Sequence, residues 1–480
     1  MSDLDRKIVR GSAWLALSFG GSQVVSLVTT AVIAHFLTPS AFGLVALAAL
    51  VIAVVTTVQE SGLGLAIIHK RDDLERAAGT VLVFSVLMGF VLYGVAFAVA
   101  PLMARVFHSP DLTDVVRVLT LILIPRGFAT VPGVLIEREL NFGARAVGEL
   151  GAAGAQAAVA IPLAIAGHGV WSLVAGQLVA AGVLAVACWW LAPFRPNPRL
   201  FSWPLLRELG RYGRHVTAAN VLALIDQNVD TATVGRLLGS VDVGLYNLAW
   251  RLSNLPATGI GYVVGRVMFP AYATLQSDRE AFRRVFVTNV RRIALVALPV
   301  GIGVILAAEP IIVGVFGAEW KGAAVPLEIL GGFGIIRAFA GTTGAVFQAA
   351  GRPQLVTWLN VVHLLVLCAA LFTLTPAFGL NGTAVAVTVT AAVTLVLAFR
   401  FALRILELPL RDLALALEWP LVVSLPLTVV LAVGRVTTGG VSPVMRLLTL
   451  VLAGLVVYTV SVALFARGEV KEIRAAFRSS

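Results

Sequence analysis

Two acidic side chains lie within a stretch of the chain that is long and apolar enough to cross a membrane. Asp226 and Asp230 are four residues apart, so a helix places them one turn apart on the same face. A carboxylate in hydrocarbon costs roughly 3 kcal/mol or more, which makes each acid a candidate functional residue. Two neighbouring carboxylates cannot both ionise cheaply in an apolar medium, so the pair could carry a proton. With Asn228 and backbone carbonyls, the acids could instead hold a sodium ion. We therefore predict ion coupling at Asp226, Asn228 and Asp230.

The next apolar run offers a second explanation for these acids. Arg251 lies about one span further along the chain, and an internal ion pair with either acid would also account for the buried charge. We otherwise expect Arg251, Asn254 and Gln348 to contact a substrate. The alternative for the two amides is hydrogen bonding to neighbouring helices, which is a common use of amides in membranes.

Two arginines occupy matched positions in apolar runs of the two halves of the chain. Arg126 and Arg337 correspond when the sequence is shifted by 211 positions, and several of their neighbours correspond as well. An isolated arginine in the middle of a membrane needs a partner or a wet cavity. Since a guanidinium binds phosphate through paired hydrogen bonds, we predict that both arginines contact an anionic group of the substrate. The alternative is that each one caps a helix carbonyl or forms an ion pair within its own half.

Sequence motifs of catalysis and metal binding are absent from the chain. There is no HExxH pair, CxxC pair, Walker loop or GxSxG set, and no acidic motif in a cytosolic domain that could hold a sugar nucleotide. The six histidines are scattered, and Cys188 and Cys368 fall in separate apolar runs. We therefore expect a protein that is not an enzyme, with no catalytic residue, no bound metal and no cofactor.

Membrane helices must position the candidate residues. The chain has 480 residues, of which 59% are hydrophobic and 13% charged, and its mean hydropathy is +0.94. Soluble domains carry about 25% charged residues, and only helices satisfy the backbone of such runs in lipid. The sequence predicts an all-α polytopic membrane protein with about fourteen spans, near 11–36, 41–66, 80–105, 115–135, 147–167, 170–192, 213–236, 243–268, 293–315, 325–347, 354–376, 381–400, 414–433 and 444–465.

The basic residues indicate how these spans are oriented. A net charge of +11 could suggest nucleic-acid binding, but most Lys and Arg lie in connections that share one side of the membrane. The largest clusters fall within 195–214 and 279–292. Short connections rich in Lys and Arg face the cytoplasm. We therefore predict that both termini are cytoplasmic and that nucleic acid is not a partner.

An internal repeat divides the chain into two halves. A shift of 201 positions places the start of spans seven and eight on that of spans one and two, with Gly244 on Gly43 and Leu248 on Leu47. Parallel repeats are typical of transporters that bind substrate between the halves. The connection before span seven reads either as a linker with an interfacial helix or as a plain topological anchor. The predicted organisation is an N-lobe at 1–192 with helices 1–6, a cytoplasmic linker at 193–212, a C-lobe at 213–400 with helices 7–12, and helices 13–14 with a cytoplasmic tail at 401–480.

Several motifs in the chain resemble those of one transporter family. They are GSAWLALSFGGSQVVSLVTTAVIAHFLTPSAFGLVALA and ESGLGLAIIHKRD near the start, then LIERELNF at 135–142, RVMFPAYATLQSD at 266–278 and FGAEW at 316–320. Their order and spacing resemble the polysaccharide-transporter branch of the multidrug/oligosaccharidyl-lipid/polysaccharide exporter superfamily, and most of all its colanic-acid-exporter-type flippases. The similarity covers nearly the whole chain, and the family has no invariant catalytic motif to transfer.

The resemblance implies a flippase of surface-polysaccharide assembly in the bacterial inner membrane. Its substrate would be an undecaprenyl-pyrophosphate-linked oligosaccharide for O-antigen, capsule or exopolysaccharide synthesis, and its fold two six-helix lobes with two added C-terminal helices. We expect ion-coupled alternating access with a proton or sodium ion. Membrane lipids, a polysaccharide polymerase and glycosyltransferases are the expected partners. A drug or lipid II exporter of the same superfamily is the alternative. A membrane polymerase or glycosyltransferase is a further one, which the lack of a large external loop or cytosolic domain disfavours.

Overall fold

The computed structural model describes residues 20–60, 67, 73–139, 141–274 and 278–465, apart from the side chains of 60, 211–219, 222, 256, 258–271, 273, 274 and 465. These residues form helices and turns, with no strand among them. Ten of the described helices are long and apolar enough to cross a membrane. The predicted all-α, multi-pass architecture is therefore confirmed, while the number fourteen stays a prediction. The start of the first predicted span and the predicted tail after 465 lie outside the described residues.

The chain divides into two compact units, Met1–Gly244 and Leu245–Ser480. The helices of the first unit are α1 Gly20–Ala34, α2 Pro39–Glu60, α3 Leu74–Val106, α4 Leu112–Leu119, α5 Leu123–Arg138, α6 Phe142–Ile165, α7 Val170–Leu191 and α8 Trp203–Leu237. Helix α9, Ser240–Thr274, begins in the first unit and continues in the second. The second unit then contains α10 Arg279–Leu306, α11 Ala308–Phe316, α12 Ala324–Ala349, α13 Gln354–Leu406, α14 Leu410–Thr437 and α15 Pro443–Phe465. Short 3-10 turns occur at Thr120–Ile122, Pro198–Leu200 and Ala318–Ala323.

The ninth predicted span, 293–315, differs from the structure at its end. Helix α10 stops at Leu306, and α11 begins a new helix at Ala308. The residue between them, Ala307, leaves helical geometry with φ −104° and ψ 14°. Pro310 then lies in the first turn of α11, where its missing N–H costs no hydrogen bond. The break falls inside a continuous apolar run, so hydropathy alone could not locate it.

Helix α13 consists of two antiparallel limbs. Gly379 in its middle has non-helical backbone angles, φ 58° and ψ −139°, which glycine adopts without strain. Residues equidistant from this glycine touch across the turn, as Thr375 Oγ1 and Thr383 Oγ1 do at 3.0 Å. The limbs 354–378 and 380–406 therefore form a helical hairpin, and they correspond to the eleventh and twelfth predicted spans.

The predicted linker at 193–212 packs into the first unit. Helix α8 already begins at Trp203, and Leu205 and Leu206 are buried against α3 and α5. Just before the helix, the Ser202 N–H donates to Thr80 Oγ1 at 3.1 Å. The segment considered as an interfacial helix is therefore the start of a 35-residue helix that is anchored on the first unit.

A buried glutamine joins three helices of the first unit. Gln59 of α2 is 3% exposed, and its Nε2 donates to Ser85 O on α3 at 3.3 Å and to Leu123 O on α5 at 3.0 Å. Gly89 and Gly127 leave room for this amide, since a Cβ at either position would lie about 3 Å from Nε2. The amide therefore sets the position of α5 at the turn that carries the predicted arginine site.

Two glycines allow α2 to cross closely over the first turn of α9. A Cβ added to Gly43 would overlap the carbonyl oxygen of Ser240, and one added to Gly244 would overlap that of Pro39. In the same contact, Ser40 Oγ and Ser240 Oγ lie 3.1 Å apart. The contact is reciprocal, because a shift of 201 positions equates Gly43 with Gly244 and Pro39 with Ser240. All of these residues belong to the first unit.

Ion pairs hold the last two helices against the second unit. Arg446 of α15 places Nη1 3.2 Å from Glu309 Oε2 of α11, and its Nη2 donates to the Arg435 carbonyl at 2.7 Å. Arg435 of α14 forms a further ion pair with Glu328 of α12. The Arg446 side chain is only 14% exposed, so loss of its partner would leave a poorly solvated charge. The two helices are thus fixed to the C-terminal unit.

Candidate functional site

The predicted ion-coupling residues lie on one uninterrupted stretch of α8 in the first unit. Asp230 is 5% exposed, and its Oδ1 accepts hydrogen bonds from Thr231 N at 2.6 Å and Thr231 Oγ1 at 3.4 Å. Asp226 lies one helical turn earlier and is half-buried. Asn228 Nδ2 donates to Leu224 O at 2.8 Å, which leaves its amide oxygen for other contacts. Two carboxylates and an amide therefore lie within about 6 Å of one another along the helix axis.

Arg251 and Asn254 lie on α9 within the second unit. Arg251 is half-buried, and Asn254 is 4% exposed. The Asn254 Oδ1 is buried, and no donor reaches it from the described residues. A buried amide oxygen without a donor costs about 1–3 kcal/mol, which favours a site that a ligand completes. The predicted pairing of Arg251 with the acids of α8 joins residues of different units and stays a prediction.

Arg126 has an exposed guanidinium in the first turn of α5, a helix that is apolar from there to Ile136 apart from Thr130. It stands one residue before Gly127, at the turn that the Gln59 amide fixes. Its backbone carbonyl accepts a hydrogen bond from Thr130 Oγ1 at 2.9 Å. Within the part of the chain that the structure describes, the guanidinium forms neither an ion pair nor a hydrogen bond. The packing roles considered as alternatives therefore find no support from the described neighbours.

Arg337 is exposed and lines a small, mostly apolar pocket within the second unit. The cavity has a volume of about 160 Å³, and its polar lining comprises Arg337 and Thr343 of α12 and Asn360, His363 and Thr394 of α13. His363 Nδ1 lies 3.0 Å from Thr394 Oγ1, so the two limbs of α13 are joined at the pocket wall. The volume suits a single charged group rather than a whole sugar chain.

Two further features define the setting of the Arg337 side chain. Its Cζ lies 5.7 Å from the centroid of the Phe333 ring, which is a cation–π contact. Gln348 is exposed eleven residues further along α12, which returns it to the same helix face as Arg337. Gly344 lies between them with open space where a Cβ would be. The face therefore presents a cation and an amide separated by a gap.

Sequence reasoning identified Arg337 but missed most of its pocket. Asn360, His363 and Thr394 were not predicted as site residues, and His363 was grouped with the scattered histidines. The available signal was the spacing of Asn360 and His363, three positions apart in an apolar run, which places both on one helix face. Thr394 carried no such signal, because only the turn at Gly379 brings it opposite His363.

The chemistry of these groups favours recognition over catalysis. The Arg337 pocket offers a planar cation with neutral hydrogen-bonding groups around it, a combination that binds anions. In the described ranges, no group of three or more His, Cys, Asp or Glu is placed to hold a metal ion. The arrangement can bind and release a charged ligand without chemical change.

A known family pattern covers more than half of the chain. The family described as "Polysaccharide biosynthesis protein" matches residues 32–325. The chain belongs to this family. Membership agrees with the motifs that indicated a polysaccharide transporter of the exporter superfamily, and that prediction is confirmed.

Three proteins of known pathways are similar in sequence to this chain over most of their own length. The lipopolysaccharide biosynthesis protein WzxC of Escherichia coli (strain K12) is 25% identical, over 91% of this chain and 89% of its own. The teichuronic acid biosynthesis protein TuaB of Bacillus subtilis (strain 168) is 22% identical, over 78% of this chain and 77% of TuaB. The succinoglycan biosynthesis transport protein ExoT of Rhizobium meliloti (strain 1021) is 25% identical, over 75% of this chain and 78% of ExoT.

Solved structures with the same fold are also transporters. The lipid II flippase MurJ, in an inward closed conformation, superposes with a TM-score of 0.74 at 13% identity, covering 95% of this chain and 99% of MurJ. An inward-facing multidrug resistance MATE transporter of the MOP superfamily superposes with a TM-score of 0.64 at 18% identity, covering 80% of this chain and 95% of the transporter. At such identities the likeness establishes the fold alone. The solved neighbours with this fold are transporters and not enzymes.

Proposed function

We propose that the protein moves an undecaprenyl-pyrophosphate-linked oligosaccharide from the cytoplasmic to the outer leaflet of the bacterial inner membrane. The relatives support this substrate class, since their names concern lipopolysaccharide, teichuronic acid and succinoglycan biosynthesis. A further relative, Agl15 of Haloferax volcanii, is named a probable low-salt glycan biosynthesis flippase and is 24% identical over 59% of this chain. The MurJ-like fold supports movement of a lipid-linked headgroup.

The Arg337 pocket is the observation that carries the proposal. A pyrophosphate headgroup cannot cross hydrocarbon unaided, because an unpaired charge in a bilayer is costly. A guanidinium within a membrane helix, beside Asn360, His363 and Thr394, supplies paired donors for one phosphate or sugar acid. Arg126 offers a second cation on an apolar helix of the first unit. Arg251, Asn254 and Gln348 complete the proposed substrate contacts, the last two through amides that suit sugar hydroxyls.

Transport of this kind needs a source of free energy, and we assign it to the acids of α8. Asp226, Asn228 and Asp230 would bind a proton or sodium ion in one state and release it in the other. Asp230 supports this role because it is nearly inaccessible to solvent in the described conformation. Alternating access would then couple ion binding to the rocking of two lobes, as in other transporters built from repeats.

The proposed topology has fourteen spans with both termini in the cytoplasm. Basic residues cluster at the start of α10 and the end of α13, including Arg279, Arg283 and Arg404, while the opposite ends of the second unit carry few. That asymmetry supports the orientation. Glycosyltransferases would deliver the substrate on the cytoplasmic side, and a polymerase would consume it outside.

Complementation in a strain that lacks its own surface-polysaccharide flippase tests the proposal in cells. The strain should recover surface polysaccharide when it expresses this chain together with the matching glycosyltransferases. A strain lacking its lipid II flippase provides the comparison. Rescue of that second strain alone would favour the lipid II exporter, the alternative that the MurJ likeness raises.

A further inference from the structure

A deep apolar groove runs along the second unit between α10, α12, α13 and α14. Its volume is about 800 Å³, and its walls are almost entirely Leu, Val and Phe side chains, such as Leu298, Phe339 and Leu417. The groove is open on one side, because Val396 and Leu410 at its edge are 67% and 74% exposed. An open apolar groove on a membrane protein is suited to a hydrocarbon chain.

One end of the groove is basic. Arg400 and Arg404 are exposed, lie one turn apart on α13 and line the cavity together with Glu407. Glu407 is already neutralised, since its Oε1 lies 2.8 Å from Arg279 Nη1 and its Oε2 3.0 Å from Arg283 Nη2. Arg400 and Arg404 form no ion pair with any described residue. They therefore leave two positive charges for an anionic group at the mouth of an apolar groove.

The length of the groove fits one leaflet of a bilayer. Its wall on α14 runs from Leu410 to Leu421, and eleven residues of helix extend about 16 Å. Half of a hydrocarbon core of roughly 30 Å has nearly the same thickness. A molecule with its phosphate at Arg400 and Arg404 would therefore place its chains along the groove and end near the bilayer midplane. A polyprenyl chain is much longer than this and would not be contained.

We propose that this groove binds an anionic glycerophospholipid of the cytoplasmic leaflet. Its phosphate contacts Arg400 and Arg404, and its acyl chains lie against the apolar walls. The basic end identifies the leaflet, because Lys- and Arg-rich ends of spans face the cytoplasm, where the membrane surface is negative. The ligand is a component of the bilayer and not the transported molecule, so a test of this lipid site does not depend on the proposed flippase activity.

Native mass spectrometry of the purified full-length protein tests the charge requirement. The protein is titrated with phosphatidylglycerol, phosphatidylcholine or undecaprenyl phosphate. We expect phosphatidylglycerol to bind tighter than phosphatidylcholine, and the double variant R400Q/R404Q to weaken its binding roughly tenfold or more. The control R284Q/R352Q removes the same charge from two exposed arginines outside the groove and should bind normally. Equal binding of both phospholipids would overturn the proposal, as would tighter binding of undecaprenyl phosphate.

A second pair of variants tests the groove itself without changing charge. Val396→Trp adds a large side chain at an exposed position of the groove edge, where it should block acyl chains without disturbing the core. Val393→Trp makes the same change at an exposed position of the same limb that does not line the groove. We expect severalfold weaker phosphatidylglycerol binding for Val396→Trp only. Unchanged binding in both variants would show that the lipid does not occupy this groove.

Discussion

His363 and Thr394 face each other across the hairpin of α13, with the imidazole Nδ1 3.0 Å from the threonine hydroxyl. The two residues are far apart in sequence, and the turn at Gly379 brings them together. Their contact closes one side of the pocket that contains Arg337. Histidine and threonine side chains commonly hydrogen-bond across membrane helices, and this contact joins the two limbs of α13. Because the contact lies in the wall of the pocket that Arg337 lines, this pocket is where substrate recognition is tested first.

Replacing Arg337 with alanine should reduce transport of the lipid-linked oligosaccharide by roughly tenfold or more, because hydrogen bonds to a charged group contribute about 1.5–3 kcal/mol. Arg337→Lys should restore only part of the rate, since an ammonium lacks the planar fork of donors. Arg126→Ala should act in the same direction. The measurement is the initial transport rate, normalised to the amount of protein in the membrane. Arg284→Ala is the control, and normal transport in both the Arg126 and Arg337 variants would assign the pair to packing.

Replacing Asp226 and Asp230 with asparagine should remove the dependence of transport on an ion gradient while substrate binding stays detectable. The amides keep the shape of the side chains but cannot gain or lose a proton at neutral pH. Transport into proteoliposomes with an imposed pH or sodium gradient measures the effect. Glu208→Gln, at an exposed position of the same helix, is the control. A double variant that still responds fully to the gradient would mean that coupling lies elsewhere.

Gly43→Ala and Gly244→Ala should each destabilise the protein by about 1–3 kcal/mol, the usual cost of inserting atoms into a packed contact. Each new Cβ would overlap a backbone carbonyl, which cannot move as a side chain can. Gly94→Ala is the matched control, because nothing lies within 4 Å of its added Cβ. It should be neutral or stabilising by up to roughly 1 kcal/mol. Apparent melting temperatures of the purified variants decide the outcome, and equal values for all three would contradict the close crossing.

The sequence predicted the membrane helices because each apolar run is bounded by charged or turn-forming residues. The span expected at 170–192 is α7, Val170–Leu191, and the one expected at 444–465 is α15, Pro443–Phe465. Where the hydropathy stays high through a break, as at Ala307, the boundary was missed. The start of α8 was missed for the opposite reason, because its first turns are amphipathic and become buried only by packing on α3 and α5.

The candidate site was only partly visible in the sequence. A charged residue in an apolar run, such as Arg337 or Asp230, is conspicuous on its own. The partners of Arg337 are not, because histidine, asparagine and threonine are tolerated in many membrane helices. The backbone turn at Gly379 makes His363 and Thr394 neighbours. The chain has 45 glycines, and the sequence alone does not show which of them adopts a turn conformation.

A reporter fused after Ser480 tests the proposed topology. An enzyme that is active only outside the cytoplasm should stay silent there, because the positive-inside distribution places the C-terminus in the cytoplasm. The same reporter inserted after Gly439, in the turn between α14 and α15, should be active. Strong activity after Ser480 would contradict the proposed topology, through either the orientation or the even number of spans.

Transport of the substrate by the purified protein tests the central claim most directly. Proteoliposomes containing undecaprenyl-pyrophosphate-linked oligosaccharide are prepared, and a membrane-impermeant glycosidase reports how much of it reaches the outer leaflet over time. We predict protein-dependent movement that exceeds the rate for lipid II and falls in the Arg337→Ala variant. No movement above protein-free liposomes, or movement of lipid II alone, would contradict the assignment of this chain as a flippase for polysaccharide precursors.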